Sequence, residues 1–353
     1  MMRLEGIADR DAELLGSMYS EYFGEDALGI SRLKGDASDR IILRVRGKRH
    51  SAIGIIGPNR NENRAFVGFA RAFRNHGLAV PEIYRVSDDE RCYLEEDFGD
   101  TTLSMWQEQR RSGREVSTEI LDMYVRVLQQ LQRFQVDAAD TVDYGLCYQY
   151  DSFAADAMAF DLRYFHEMFL QPIVTLSWDE EKLQADNQRL IAFLCEAGQE
   201  HFLYRDFQSR NVMIRDGAPC FIDFQSGRRG ALHYDVASML LDSKGDLPAE
   251  ARDLLLERYL DELETRMPVD RSRFRRMFEG FAVLRLMQAL GAFGNIGLNK
   301  GRPQYLELIP SRLRGLAEVV RDAACMRELP YLRALLLDIA DHPDACSIPS
   351  QNT

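Results

Sequence analysis

Residues 201–214 read HFLYRDFQSRNVMI, and residues 221–225 read FIDFQ. In the first stretch, Asp206 and Asn211 lie five residues apart on a polar segment between apolar flanks. In the second stretch, Asp223 follows a short apolar run, twelve residues after Asn211. Short apolar runs next to turn residues are typical of buried strands. The pattern therefore predicts a polar loop followed by a β-hairpin whose second strand ends at Asp223.

The types and spacing of these three polar residues match the needs of phosphoryl transfer from ATP. That reaction needs a carboxylate beside the attacking hydroxyl, and it needs oxygen ligands that hold Mg²⁺ on the phosphates. Kinase-type sites supply these groups as a loop Asp, an Asn five residues later and a second Asp on the next hairpin. Asp206, Asn211 and Asp223 fit that spacing. The alternative is an ordinary polar turn between buried strands, which does not account for the third residue at hairpin distance.

The remainder of the chain predicts two lobes of different structure. Helical and strand-like segments alternate over the first 95 residues: helices at 11–23 and 61–76, and strands at 41–45, 51–56, 80–84 and 91–95. We expect Asn61 to cap the second helix. From about residue 101 onward nearly every periodic segment is helical. We therefore predict an α+β, two-lobed fold, with a small β-rich lobe at 1–97, a large helical lobe at 98–341 and a tail at 342–353.

Composition and charge exclude several classes of protein. Of 353 residues, 46% are hydrophobic and 28% charged, which is typical of a globular chain and not of a disordered one. Lys and Arg number 44 against 56 Asp and Glu, and the net charge of −12 disfavours nucleic acid as a main partner. The apolar stretch 281–298 is interrupted by Arg285, Gln288 and Asn295. This favours a core helix over a membrane span, so we expect no membrane partner.

Cysteine usage points to a reducing compartment. The six cysteines are scattered, and none forms a Cys-x-x-Cys pair: Cys92, Cys147, Cys195, Cys220, Cys325 and Cys346. No zinc or redox motif is therefore visible. The start of the sequence also lacks the apolar core of a signal peptide. We expect reduced thiols and a cytoplasmic protein, and the sequence leaves the oligomeric state open.

The stretch YRDFQSRN at 204–211, followed by IDFQ at 222–225, resembles the aminoglycoside phosphotransferase and choline kinase family, which has the protein-kinase-like fold. Within that family the chain is most similar to the branch that contains the anomeric N-acetylmuramate/N-acetylglucosamine kinases. That branch has a similar Gly-Asp-Ala-Ser turn, which this chain matches at residues 35–38. The resemblance extends roughly from residue 15 to residue 316. Its motifs are specific for the superfamily and much less specific for the substrate.

The resemblance implies an ATP- and Mg²⁺-dependent phosphotransferase that acts on a hydroxyl of a small molecule. It implies that Asp206 is the catalytic base and that Asn211 and Asp223 hold Mg²⁺. It also implies a supporting role for Asp235, as a buried carboxylate at a helix start beneath the loop of Asp206. The nucleotide is expected to contact two segments, a phosphate loop and the backbone of the interlobe segment: Gly35, Asp36, Ala37 and Ser38, then Glu95, Glu96 and Asp97.

Two positions depart from the family pattern. Tyr204 stands where the family usually has His, and its ring can still pack and hydrogen-bond. The strand 51–56 lacks the Lys that grips the phosphates, which leaves Glu62 without an obvious ion-pair partner. Glu62 then reads as an acidic residue favoured by the dipole of the first helical turn. Three other basic residues are candidates for the missing charge: Lys34, Arg40 and Arg44.

The acceptor is the least determined part of the prediction. We expect a sugar kinase that phosphorylates the anomeric hydroxyl of N-acetylmuramate or N-acetylglucosamine. An aminoglycoside- or choline-type kinase is the alternative within the family. The missing Lys suggests a second alternative, a pseudokinase-like module that only binds nucleotide. Retention of Asp206, Asn211 and Asp223 together favours the enzyme, because a binding module has no need of the base. We expect the acceptor pocket to draw on residues 151–169 and 291–305.

Overall fold

The structure is a computed structural model that describes residues 9–33, 39–111, 113, 115–342 and 345–346. A small lobe contains an antiparallel five-stranded sheet, and the larger lobe is mostly helical. This confirms the predicted α+β, two-lobed fold. The exact lobe boundary after residue 97 stays a prediction, and most of the tail predicted at 342–353 lies outside the described residues.

The sheet of the small lobe has the strand order β1-β2-β3-β5-β4. Its strands are β1 Gly29–Arg32, β2 Ile41–Arg46, β3 Ser51–Ile56, β4 Ile83–Val86 and β5 Cys92–Glu96. Four of the five overlap segments that the sequence predicts as strands. The edge strand β1 escapes the sequence pattern because its side chains are mostly exposed, so they show no apolar alternation.

Two helices cover the two faces of this sheet, α1 (Asp9–Phe23) and α2 (Arg60–Asn75). Successive side chains of a strand point to opposite faces. Accordingly, Ile53 and Ile55 of β3 pack in the core on the α2 side, whereas Ile56 packs with α1. The sheet is therefore buried on both faces, with α2 between it and the larger lobe.

The start of α2 differs from the prediction by two residues. Asn59, and not Asn61, caps the helix. The Oδ1 atom of Asn59 accepts hydrogen bonds from the backbone N–H groups of Asn61 at 3.1 Å and Glu62 at 3.4 Å. Asn59 and Asn61 have the same amide side chain, which suits a cap, and only the backbone conformation decides between them. Glu62 consequently lies in the first turn of α2.

Ten helices in the described residues form the larger lobe: α3 Leu103–Glu108, α4 Thr118–Gln132, α5 Ala155–Phe165, α6 Gln171–Ile173, α7 Glu180–Cys195, α8 His233–Leu240, α9 Ala249–Leu263, α10 Arg271–Gly294, α11 Ile309–Asp322 and α12 Pro330–Asp341. Three π-helical turns continue α4, α5 and α10, at Arg133–Asp137, His166–Leu170 and Asn295–Asn299. Sequence patterns do not predict these turns, because π-helical turns have no simple sequence signature.

Helix α10 is long and apolar. Together with its π-helical turn it spans Arg271–Asn299, and its most apolar window has a mean hydropathy of 1.3. It therefore meets the length and composition of a membrane span, yet 67% of that window is buried inside the protein. It packs against α5, α8 and α11. This burial matches the sequence prediction of a core helix for residues 281–298.

Two short sheets lie in the larger lobe, near the small lobe. Strand β6 (His201–Leu203) pairs with β9 (Arg228–Gly230), and β7 (Val212–Arg215) pairs with β8 (Ala218–Phe221). Asp216 and Gly217 form the turn between β7 and β8. Their φ angles are 51° and 74°, the left-handed conformation that suits a two-residue hairpin turn. The predicted hairpin and its turn are thus present, but its second strand ends at Phe221 and not at Asp223.

Aromatic side chains join the two lobes into one core. Phe66 of α2 stacks on Phe224 at a centroid distance of 4.6 Å, with the ring planes 4° apart. Phe73, two turns further along α2, meets Phe202 of β6 edge to face at 5.0 Å. Such ring pairs stabilise a contact beyond the area that they bury. The apolar stripe of α2 therefore fixes this helix against the segments that carry the candidate site.

Candidate active site

The structure brings the three predicted polar residues together. Asn211 ends a 3₁₀ turn before β7, and its Nδ2 atom donates to the backbone carbonyl of Asp206 at 2.8 Å. The same Nδ2 atom donates to Oδ2 of Asp223 at 3.1 Å. One amide nitrogen thus ties the loop of Asp206 to the end of the hairpin. Because Nδ2 is used in this way, the Oδ1 atom of Asn211 is the atom that remains for a ligand.

Asp235 supports the loop of Asp206 through hydrogen bonds to its backbone. It is the third residue of α8 and is fully buried. Its two carboxylate oxygens accept the backbone N–H groups of Tyr204 at 2.7 Å and Arg205 at 2.9 Å. Burial raises the pKa of Asp235 to about 7, and the two N–H donors oppose that rise. This geometry agrees with the supporting role expected for Asp235.

Tyr204 packs and hydrogen-bonds as expected at the position where the family has His. Its ring is fully buried, and its hydroxyl donates to the backbone carbonyl of Ile222 at 2.6 Å. That bond links the loop of Asp206 to the residue that precedes Asp223. A tyrosine hydroxyl is therefore sufficient to join the two segments.

The sequence does not predict the residue that anchors Arg205. The guanidinium group of Arg205 makes a bidentate ion pair with Asp161 of α5, at 2.6 and 2.7 Å, and it also donates to the hydroxyl of Tyr234 at 2.6 Å. Asp161 is 1% exposed. It lies on the apolar face of α5 beside Met158 and Leu162, and a lone carboxylate on such a face signals a buried partner. Arg205 has a φ of 80°, so the ion pair holds a backbone conformation that few side chains favour.

Asp223 lies in a dense set of contacts at the end of the hairpin. Its φ is 71°, again in the left-handed region. Its Oδ1 atom accepts from the guanidinium of Arg40 and from Nε2 of Gln225 at 3.0 Å. Burial opposes ionisation of Asp223, but Arg40 and these hydrogen bonds outweigh burial and hold its pKa below the ordinary value. Asp223 is therefore an ionised carboxylate at neutral pH.

Arg40 is the partner that the sequence could not assign to Glu62. The Nε atom of Arg40 lies 3.4 Å from Oε1 of Glu62, and the same guanidinium contacts Asp223. The side chain of Arg40 is only 8% exposed. The interpretation of Glu62 as a helix-turn carboxylate alone is thus wrong, because it forms an ion pair across the small lobe. Arg40 stands just before β2, next to the strand 51–56 in which the resemblance leads us to expect a Lys.

Arg44, another of the basic candidates, contacts other residues than this cluster. Arg44 braces the interlobe segment, with Nε 2.7 Å from Asp97 and Nη1 2.6 Å from Asp100. Lys34 lies outside the described residues. So does the predicted phosphate loop of residues 35–38, whose role stays a prediction.

The interlobe segment is held by side chains on both lobes. Glu96 forms ion pairs with Arg74 of α2 at 3.1 Å and with Arg215 of β7 at 2.5 Å. Glu95 is buried at the end of β5, where burial raises its pKa to about 8 and Oε2 has no hydrogen-bond partner in the described residues. With Asp97 bound to Arg44, these side chains set the path of the segment. The expected contact with adenine uses backbone groups and stays a prediction.

Comparison with known proteins decides the family. A model described as the phosphotransferase enzyme family matches residues 29–272. The chain belongs to this phosphotransferase enzyme family. A choline kinase from Streptococcus pneumoniae shares its fold, with a TM-score of 0.58 and 13% identity over 88% of this chain and 100% of that chain. The fold is therefore that of the protein-kinase-like kinases.

Two curated relatives of this phosphotransferase are named N-acetylmuramate/N-acetylglucosamine kinase. The relative from Neisseria meningitidis serogroup B is 27% identical over 267 residues, which cover 74% of this chain and 75% of the relative. The relative from Pseudomonas aeruginosa is 26% identical over 315 residues, which cover 85% and 86%. Family membership and these kinases confirm the predicted enzyme class, a phosphotransferase with a hydroxyl acceptor. Binding of ATP follows from the kinase fold.

Proposed function

We propose that this phosphotransferase moves the γ-phosphoryl group of ATP to the anomeric hydroxyl of an amino sugar, N-acetylmuramate or N-acetylglucosamine. The observation that carries the chemistry is the link of Asp206, Asn211 and Asp223 through one amide nitrogen. The names of the curated relatives support the choice of acceptor. A small molecule fits a cleft between lobes, the usual place for such a site. We place the enzyme in the cytoplasm, where ATP is available and its unpaired thiols stay reduced.

Asp206 acts as the general base in this proposal. Its carboxylate takes the proton of the acceptor hydroxyl as the hydroxyl oxygen bonds to the γ-phosphorus. The bond between that phosphorus and the β–γ bridging oxygen breaks, and ADP leaves with the electron pair. The anomeric hydroxyl is more acidic than the other sugar hydroxyls, so one carboxylate is sufficient. The products are a sugar 1-phosphate and ADP.

Asp223 and Asn211 suit a Mg²⁺ ion by the chemistry of their donors. Mg²⁺ prefers oxygen ligands, and these residues offer a carboxylate and the amide Oδ1 atom. When bound, the ion neutralises charge on the phosphates of ATP. The low pKa of Asp223 keeps its carboxylate ionised for this purpose.

Arg40 takes the place of the missing strand lysine in this proposal. A guanidinium group binds phosphate through two parallel hydrogen bonds, which gives it a firmer grip than an ammonium group. Glu62 and Asp223 orient it toward the cleft. When nucleotide enters, Arg40 exchanges part of its contact with Asp223 for phosphate oxygens and retains Glu62 as its anchor.

Phosphorus NMR of the reaction mixture tests the acceptor and its position. The enzyme is incubated with ATP and Mg²⁺ and, in separate tubes, N-acetylmuramate, N-acetylglucosamine, an aminoglycoside or choline. We expect a new resonance only with the amino sugars, coupled to the anomeric proton. A 6-phosphate, or transfer only to the aminoglycoside or choline, would contradict the proposed acceptor and leave the kinase chemistry standing.

A further inference from the structure

Arg228 of β9 is a buried cation whose hydrogen bonds go only to neutral groups. Its side chain is 4% exposed. Its Nε atom donates to the backbone carbonyl of Ser226 at 3.0 Å, and its Nη2 atom donates to Oε1 of Gln149 at 3.1 Å. Its guanidinium carbon lies 5.8 Å from the ring centre of Tyr150. The Nη1 atom has no acceptor among the described residues and is not sealed from solvent.

No carboxylate of the described residues forms an ion pair with Arg228. Asp161 is the nearby carboxylate that favours its charged form, but both oxygens of Asp161 already bind Arg205. Burial, and then the charge of Arg205, lower the pKa of Arg228. Together the two arginines and Asp161 carry a net charge of about +1. Asp206 and Asp235 also act on Arg205, but neither accepts a hydrogen bond from Arg228 in the described residues. A buried charge without an ionic partner is costly, and an anion from outside the chain would relieve that cost.

This charge lies close to the proposed base. In the pairing of β6 with β9, Arg228 stands opposite Leu203, three residues before Asp206. Tyr148 is a half-buried residue nearby, and its hydroxyl contacts the hydroxyl of Ser226 at 3.3 Å. The pKa of Tyr148 is raised mainly by burial, and it responds both to Asp206, which raises it, and to Arg228, which lowers it. Base and cation are thus both within electrostatic reach of one phenol group.

We propose that Arg228 binds a carboxylate of the acceptor, so that the enzyme selects a carboxylated amino sugar over its neutral counterpart. This inference rests on the proposed function and specifies its substrate class. A single guanidinium with one unused Nη1 atom matches a monoanionic carboxylate, which accepts paired N–H donors. A phosphate dianion would leave about one negative charge unbalanced in the same place. N-acetylmuramate carries such a carboxylate and N-acetylglucosamine does not.

The experiment compares two arginine variants on these two sugars. Arg228→Gln removes the proposed cation, and Arg229→Gln removes the charge of its neighbour, which is exposed on the opposite face of β9 and stacks on Tyr144 at 4.0 Å. The readout is the ratio of kcat/KM for N-acetylmuramate to kcat/KM for N-acetylglucosamine. We expect Arg228→Gln to lower this ratio by about 10- to 100-fold, the effect of one hydrogen bond to a charged group. We expect Arg229→Gln to keep it within about twofold.

A second measurement needs no variant and covers the case in which Arg228→Gln fails to fold. Wild-type enzyme is assayed with N-acetylmuramate and with its carboxamide, which has nearly the same shape and no charge. We expect kcat/KM to be lower for the carboxamide by about tenfold or more. Equal use of both compounds, or an unchanged ratio in Arg228→Gln, overturns the role of Arg228 and leaves the proposed function intact. Failure of the wild type to phosphorylate either sugar overturns the proposed function, and this inference with it.

Discussion

Two groups of charged residues contact the segments that carry Asp206 and Asp223, and they are built differently. Asp235 and the Arg205–Asp161 pair lie within the larger lobe, are buried, and hold backbone N–H groups and a left-handed residue in place. The second group, the Arg40 cluster, consists of Arg40, Glu62 and Asp223. It joins the small lobe to Asp223, whose side chain is 30% exposed. The first group is a fixed frame for the loop of Asp206. The second group is a set of ion pairs that can exchange partners when a charged ligand enters.

This difference predicts that substitutions at the base, in the frame and in the Arg40 cluster affect different properties: turnover, stability and the KM for ATP. The largest effect is expected at the base. Asp206→Asn should lower kcat by about 10²- to 10⁴-fold or more, because it removes general-base help and positioning. ATP affinity should stay nearly intact. The matched control is Asp216→Asn in the hairpin turn, where the side chain is 95% exposed. Near-normal turnover in Asp206→Asn would show that its assigned role is wrong.

A change in the frame should reduce stability first. Asp235→Ala removes the acceptor of two buried N–H groups, and each unsatisfied group costs about 1–3 kcal/mol. We therefore expect a loss of about 2–4 kcal/mol in the free energy of unfolding, measured by urea denaturation. Asp122→Ala, on the exposed face of α4, should stay within about 0.5 kcal/mol of the wild type. If both variants were equally stable, Asp235 would not be part of a rigid frame.

A change in the Arg40 cluster should reduce ATP use with a smaller effect on stability. We expect Arg40→Gln to raise the KM for ATP by about tenfold, the value of one charge-assisted contact, and Arg40→Lys to restore part of it. Arg46→Gln, at the far end of β2 and exposed, is the control. A normal KM in Arg40→Gln would mean that the phosphates are held elsewhere, and a loss of stability as large as that of Asp235→Ala would erase the contrast between the two groups.

Local patterns and contacts between distant residues differ in how far the sequence predicts them. The hairpin, its turn and the spacing of Asp206, Asn211 and Asp223 are local patterns. The structure contains the hairpin and its turn and links the three residues, although the second strand ends two residues before Asp223. The contact of Arg40 with Asp223 joins residues 183 positions apart, and no periodicity reports such a contact. Asp161 leaves a signal, a carboxylate on an apolar helix face, but its partner Arg205 is again far away in the chain.

Smaller differences have local physical reasons. Asn59 and Asn61 are equal candidates for the cap of α2 by side-chain chemistry, and only the extended backbone at Asn59 selects it. The edge strand β1 lacks alternation because it buries little. These features depend on backbone conformation and exposure, which composition and spacing do not encode.

Calorimetric titration of ATP, with and without Mg²⁺, tests most directly whether Asp223 and Asn211 form a metal-dependent nucleotide site. In the wild type we expect Mg²⁺ to strengthen ATP binding. In Asp223→Ala that gain should disappear, and in Asn211→Ala it should be reduced less, because a carboxylate brings a full charge to a hard cation and an amide only a dipole. The same dependence on Mg²⁺ in the wild type and Asp223→Ala would contradict the account.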